Sequence, residues 1–299
     1  MDEACKTDTP ELPETPQPLT AWQRQQLIHD KNRPTVRDYI PRIFTDFYEL
    51  HGDRHYGDDG AIIGGIGRLE GTPVTILAQV KGRNLDENKA SNFSMPHPEG
   101  YRKCLRLAHQ AEKFHRPVIC LIDTPGAFCG VEAEERGQGE AIARCLEEFM
   151  VLKTPVLSVV LGEAGSGGAL ALGVCDALAM LENALYSVIS PRGAASILWK
   201  DASREQEASE VMHMTAEDML EYGIAEAIIP EPPGGAQCDI DKISENIQEY
   251  LVKTLAEKMQ KPLDVLLEDR YTKFRKIGVF SEGVTASPSM DDEEDEEEA

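Results

Sequence analysis

Two adjacent glycines, Gly167 and Gly168, are the residues whose type and spacing could do chemistry here. They stand in GEAGSGGALALGVCD, residues 162–176, where the apolar run PVLSVVL ends and a second apolar run begins. A strand that passes into a helix at this point leaves the first N–H groups of the helix without intrahelical partners. Those donors point out of the positive end of the helix. Two of them aimed at one point form an oxyanion hole, in which losing one donor typically costs about 3 kcal/mol of transition-state stabilisation. Glycine suits such a position, because a Cβ would block a ligand's approach and because glycine accepts positive φ. The pattern alone leaves a second reading equally open, a glycine turn that packs helix against strand.

Other chemistries fail on spacing. Ser166 is centred in AGSGG, but a nucleophile elbow needs glycine two residues earlier, and Ala164 stands there. The segment DTPG resembles a magnesium-binding stretch of GTPases, yet the chain has no G-x-x-x-x-G-K-[ST] loop. GGIGRLEG misses the dinucleotide fingerprint because Glu70 occupies its third glycine position. There is no HExxH, no CxxC pair and no His-x-Glu motif with ligand spacing, so no metal site is expected. The net charge is −23, of which DDEEDEEE at residues 291–298 supplies eight charges. The remaining −15 argues against nucleic-acid binding, which needs a basic footprint.

The elements that must position the glycines can be read coarsely. AIIGGIGRL and PVTILAQV, separated by EGT, read as a hairpin. PEGYRKCLRLAHQAEKFHRP reads as a helix with Tyr101, Cys104, Leu105, Ala108, Ala111 and Phe114 on one stripe. The strand VICLID, the loop TPGAFCGVEAEERGQG and a second helix with Ile142, Cys145, Leu146 and Phe149 follow. Strand PVLSVVL then meets the glycines. This alternation is the signature of crossover connections in an α/β protein, whose ligands bind at the C-terminal ends of the strands. Residues 19–50 mix short helical patterns with Pro34 and Pro41, and DKISENIQEYLVKTLAEKM reads as a C-terminal helix.

No apolar stretch reaches 18 residues, so no membrane span is expected. The first twenty residues, acidic and Pro-rich, read as neither signal nor transit peptide. Seven cysteines, an odd number with several inside apolar runs, fit a reducing compartment, and a cytoplasmic protein is expected. The expected organisation is a disordered leader at 1–18, one domain at 19–286 and a disordered acidic tail at 287–299.

The ordered set GDRHYGDDGAIIGGIGRL, NFSMPHPEGYRKCLRL, IDTPGAFCGVEAEERGQGEAIARCL, GEAGSGGALALGVCD, SVISPRGAASILWK and IIPEPPGGA resembles the alpha subunit of bacterial acetyl-CoA carboxylase carboxyltransferase. The resemblance implies an α/β, crotonase-like fold of repeated strand-strand-helix units with added helices at the termini. It implies transfer of a carboxyl group from carboxybiotin on the biotin carboxyl carrier protein to acetyl-CoA, giving malonyl-CoA. It also implies a beta subunit in an α2β2 heterotetramer, biotin carboxylase in the holo-complex, zinc on the beta partner only, and no covalently bound cofactor here. Gly167 and Gly168 match the family's glycines assigned to the biotin side.

Several departures from the family pattern stand out. Phe128-Cys129 replaces Tyr-Pro, Ser94 replaces glycine, and Arg192-Gly193-Ala194 replaces Glu-Gly-Cys, reversing one charge. Gly126 and Ala127 are weaker candidates for substrate binding. Lys81 and Arg83, like Arg102 and Lys103, could meet coenzyme A phosphates or the transferred carboxylate, with a solvated surface charge as the alternative. Two rival functions are a freestanding hydratase or isomerase acting on acyl-CoA, with Glu163 as its only nearby base, and a non-catalytic assembly subunit.

Overall fold

Thr20 starts the first helix with a reciprocal cap. Its side chain accepts from Gln23 N–H while the Gln23 side chain accepts from Thr20 N–H, starting α1 (Ala21–Ile28). Helix α2 (Val36–Ile43) follows, and Asp38 accepts from Thr35 N–H at its start. A computed structural model describes residues 19–278; the expected leader at 1–18 and tail at 287–299 lie outside the described residues.

Strand β1 (Thr45–Glu49) then pairs antiparallel with β2 (Ile62–Leu69), which pairs with β3 (Thr72–Gln79) in a hairpin closed at Leu69↔Thr72. The hairpin is where the alternation of the sequence places it. After a short α3 (Leu85–Ala90), α4 (Pro98–Lys113) buries Tyr101, Cys104, Leu107, Ala108 and Ala111 completely. That is the stripe expected from its 3.6-residue spacing except at its end, where Phe114 follows the last helical residue and is exposed instead of buried.

Strand β4 (Val118–Thr124) is buried along its whole length. It leads through α5 (Val131–Glu135) to α6 (Gln138–Val151). Strand β5 (Val156–Gly165) leads directly into α7 (Ser166–Gly173). The sequence placed the end of this strand at Leu161, but pairing with β7 (Leu185–Ser187) at Glu163↔Leu185 and Gly165↔Ser187 extends it through the first glycines. Strand β6 (Ala177–Leu181) precedes β7, and α8 (Pro191–Trp199), α9 (Glu205–Val211) and α10 (Ala216–Glu221) follow it. Strand β8 (Ala227–Ile229), α11 (Ile240–Met259) and α12 (Leu263–Lys276) complete the described chain.

The sheet runs β1-β2-β3-β4-β5-β6-β8, with β7 paired to the end of β5. From β3 onward every pairing is parallel, which places strands β3, β4 and β5 with their C-terminal ends side by side. A buried, near-continuous apolar strand is what parallel pairing demands, since helices cover both faces. No helix among the described residues is long and apolar enough to cross a membrane.

Helix α12 was not legible in the sequence, and one buried cation anchors it. Arg270, 1% exposed, forms a bidentate pair with Asp176 at 2.8 and 2.7 Å. Its remaining N–H groups donate to the carbonyls of Phe149, Leu152 and Thr154. Removing it leaves Asp176 buried without its partner, so Arg270→Ala should destabilise the protein by about 3–5 kcal/mol. Thermal melting should show a fall of roughly ten degrees; an unchanged midpoint would show that α12 does not brace the fold.

Candidate functional site

The site is built where β4 and β5 end. They pair from Val118↔Val156 to Ile122↔Val160 and again at Thr124↔Ala164, so the loop after β4 lies against the turn after β5. The approach is too close for side chains. A Cβ on Gly168 would lie 2.5 Å from Gly126 C and nearer still to Ala127 N, and one on Gly165 would strike Pro125 backbone and lie 2.9 Å from Gly126 N. Real Cβ atoms do not sit that near to backbone, so Gly165 and Gly168 are required by packing.

Gly167 is different. Its Cβ would be 3.6 Å from Ile142 Cγ2, an ordinary contact, so nothing in the fold forbids a side chain there. The expectation that positive φ explains the glycines is corrected: the left-handed residue of the turn is Ser166, at φ 51°. Ser166 takes that strain because the strand must turn sharply into α7, and such strain collects at functional turns.

With Gly165 as N-cap, Gly167 and Gly168 are the second and third residues of α7. Their N–H groups are among those with no intrahelical acceptor, at the positive helix end. Gly167, with Ser166, lines a cavity of about 770 Å³ whose other walls include Leu170, Tyr186, Val188 and Ile197. Among the described residues lining it, none is Asp or Glu. Its mouth is unusually apolar, with Val188 82%, Ile197 70% and Leu198 62% exposed.

The loop after β4, whose backbone lies against Gly168, is fixed by buried polar groups. Thr124 Oγ1 accepts from Gly126 N–H at 3.1 Å and lies 2.6 Å from the Ser94 carbonyl. Gln138 Nε2 donates to the carbonyls of Pro96 and Phe128, while Phe128 N–H donates to Pro96. The Phe128 ring stacks on His97 with centroids 4.2 Å apart. Cys129 beside it is exposed. Arg192, where the resemblance has glutamate, is exposed in the first turn of α8.

The structure thus brings Gly126, Ala127, Gly167 and Gly168 together and leaves Lys81 and Arg83 elsewhere. Those two line a different, polar recess of about 220 Å³ with His29, Arg33 and Asp123. Lys81 Nζ donates to Glu163 at 3.0 Å and lies 3.6 Å from Asp123, and Arg83 pairs with Asp38. Lys103 is neither a phosphate contact nor a solvated charge. It is fully buried, bonded to Asp58 and to the carbonyls of Asp59 and Ile62. Arg102 pairs with Asp53 at 2.8 Å.

Glu163 is tuned away from base chemistry. Burial would raise its pKa, but the Lys81 charge and the hydrogen bond with His29 outweigh that and hold it at about 2. Asp123 Oδ1 accepts from Glu163 N–H at 3.1 Å. Sequence reasoning missed Thr124, Gln138 and Gln79; the available signal was a polar residue inside an apolar strand, as in TILAQV.

Comparison with known proteins identifies the family to which the chain belongs. The family model described as acetyl co-enzyme A carboxylase carboxyltransferase-like matches residues 6–278. The acetyl-coenzyme A carboxylase carboxyl transferase subunit alpha of Clostridium acetobutylicum is 55% identical over 269 residues, covering 90% of this chain and 98% of that protein. A Clostridium tetani protein named for subunits beta/alpha together is 53% identical over 262 residues, covering 88% of this chain and 46% of its own length. Among solved structures, transcarboxylase 12S matches with a TM-score of 0.58 at 21% identity, over 77% of this chain and 45% of that one. That last likeness speaks for the crotonase-like fold.

Proposed function

This chain belongs to the acetyl-CoA carboxylase carboxyltransferase-like family, and we propose from that premise that Gly167 and Gly168 are its oxyanion hole. The chain is the alpha subunit of an acetyl-CoA carboxylase carboxyltransferase and works with a beta partner. The reaction moves a carboxyl group from carboxybiotin on its carrier protein to acetyl-CoA. The N–COO⁻ bond of carboxybiotin breaks to release CO2, and negative charge develops on the ureido oxygen. The biotin nitrogen takes a methyl proton from acetyl-CoA, and the resulting enolate attacks CO2 to give malonyl-CoA. No protein acid or base is needed.

What the protein must supply is a pair of donors for the ureido oxygen, and the first turn of α7 offers them. The observation that carries this reading is the glycine first turn of α7, whose N–H groups have no intrahelical acceptor, with Gly167 at the wall of a cavity that no described carboxylate lines. A hydratase or isomerase would need a carboxylate base there. Glu163, the sole candidate, is bound to Lys81 and held at about 2. Gly126 and Ala127 are proposed as substrate contacts on the loop that lies against Gly168. Lys81 and Arg83 are the weaker proposals, since a substrate anion would compete with Glu163, Asp123 and Asp38 for them.

The wider assembly is also proposed: an α2β2 heterotetramer with zinc on beta, served by the carrier protein and by biotin carboxylase, in the cytoplasm. Co-expression with a beta-type subunit tests the function. The co-purified complex should convert carboxybiotin and acetyl-CoA to malonyl-CoA and should not hydrate an enoyl-CoA. Hydration without carboxyl transfer would favour the rival.

A further inference from the structure

Gln79 is the one polar side chain at the end of the run TILAQ, and it is completely buried. Its carboxamide spans two elements of the site. Nε2 donates to the carbonyl of Gly168 at 2.8 Å, and Oε1 accepts from Asp123 N–H at 3.2 Å. Gly168 lies in the first turn of α7, while Asp123 leads into the loop that carries Gly126 and Ala127. Tyr101, also fully buried, donates to the same Gly168 carbonyl at 3.4 Å.

We propose that Gln79, backed by Tyr101, is a positioning residue for the carboxyl-transfer reaction, locking the glycine turn and the loop after β4 into the one relative placement in which the Gly167 and Gly168 donors meet substrate. This rests on the reading of the two glycines as an oxyanion hole. The need for such a lock follows from their chemistry. Glycine is the least rigid residue in a helix, and two in succession leave the first turn poorly defined by its own backbone. Donors in a hole stabilise charge only if they are held in place before the charge forms. A carbonyl held by Gln79 fixes the Gly168–Ala169 peptide plane, and with it the placement of the helical turn that carries the Gly167 and Gly168 N–H groups.

A carboxamide is the neutral group that serves both ends at once, as donor to a carbonyl and acceptor from an N–H. Glutamate would set a carboxylate against the Gly168 carbonyl in a site with no solvent access. Methionine would leave the Asp123 N–H without this acceptor and the Gly168 carbonyl with Tyr101 as its remaining side-chain donor. Helix α7 has a second such bond at its far end, where buried Ser158 Oγ donates to the Leu172 carbonyl at 2.7 Å. That bond anchors the helix without touching the glycines, and it supplies the control.

The experiment measures kcat, the KM for acetyl-CoA and the thermal midpoint of the complete alpha–beta complex. Gln79→Met should lower kcat about tenfold or more with KM within about twofold. Ser158→Ala should lower the midpoint yet keep kcat within about twofold. Tyr101→Phe should lower kcat roughly two- to threefold. Unchanged kcat in Gln79→Met, or an equal loss in Ser158→Ala, would overturn the positioning role. If Gln79→Met fails to fold, Tyr101→Phe decides, and an unchanged kcat there rejects the proposal. Turnover retained by Gly168→Pro, which lacks the N–H, would reject the hole itself; a dead Gly168→Pro beside an unaffected Gln79→Met would reject only the lock.

Discussion

Gly168→Ala should lower turnover of the alpha–beta complex by roughly a hundredfold or more. The added methyl would overlap the backbone of Gly126 and Ala127. Backbone cannot swing aside as a flexible side chain can, so α7 and the facing loop must separate. Overpacking of this kind costs about 1–3 kcal/mol of stability, and the separation carries the donors away from the substrate.

Gly167→Ala provides the contrast, because its Cβ meets only Ile142 at an ordinary 3.6 Å. Alanine is about 1 kcal/mol better than glycine inside a helix, so this variant should melt at or slightly above the wild-type temperature. It should still lose turnover, about tenfold, because the methyl intrudes on the approach to the donor. Ser166→Ala should stay within about twofold, since the serine hydroxyl has no part in the mechanism. Kinetics and melting curves on the three variants check the set. Wild-type turnover in Gly168→Ala with a dead Ser166→Ala would replace the oxyanion hole by a serine nucleophile.

The second large effect is all-or-none. The chain purified without beta should form no malonyl-CoA from carboxybiotin and acetyl-CoA, and adding beta should restore the reaction. Charge develops on two oxygens, the ureido oxygen of biotin and the thioester oxygen of acetyl-CoA. The start of α7 offers donors for one of them. Losing stabilisation of the other removes several kcal/mol, which is a factor of thousands in rate. The surface beside the glycines fits a partner as well, since Val188, Ile197 and Leu198 lie exposed around one cavity mouth. Clustered apolar exposure of this kind marks interaction sites. Steady turnover by the isolated chain, shown free of beta by mass spectrometry, would reject the two-subunit mechanism.

Periodicity and turn chemistry by themselves determined much of the fold. The β2–β3 hairpin, the buried stripe of α4, the strands β4 and β5 and the glycine start of α7 all follow from local patterns that need no knowledge of neighbours. The glycine pair was legible as a strand-to-helix turn, but its pattern alone left a packing turn and an oxyanion hole equally open. The family motifs added the reaction.

Only the tertiary structure decided which glycine is needed for what. Gly168 is required by Gly126 and Ala127, forty residues away in the chain, while Gly167 has room for a side chain. It also decided that Lys81 and Arg83 face carboxylates in another recess, that Lys103 is buried, and that β5 continues to Gly165 because β7 pairs with its end. Arg270 and Gln79 carried no signal of a role in the sequence; their roles come from Asp176, Asp123 and Gly168. Local pattern reports whether a residue can be buried, but partners for a buried charge or amide are supplied by chain segments far away in sequence, so their identity is a property of the packed molecule alone.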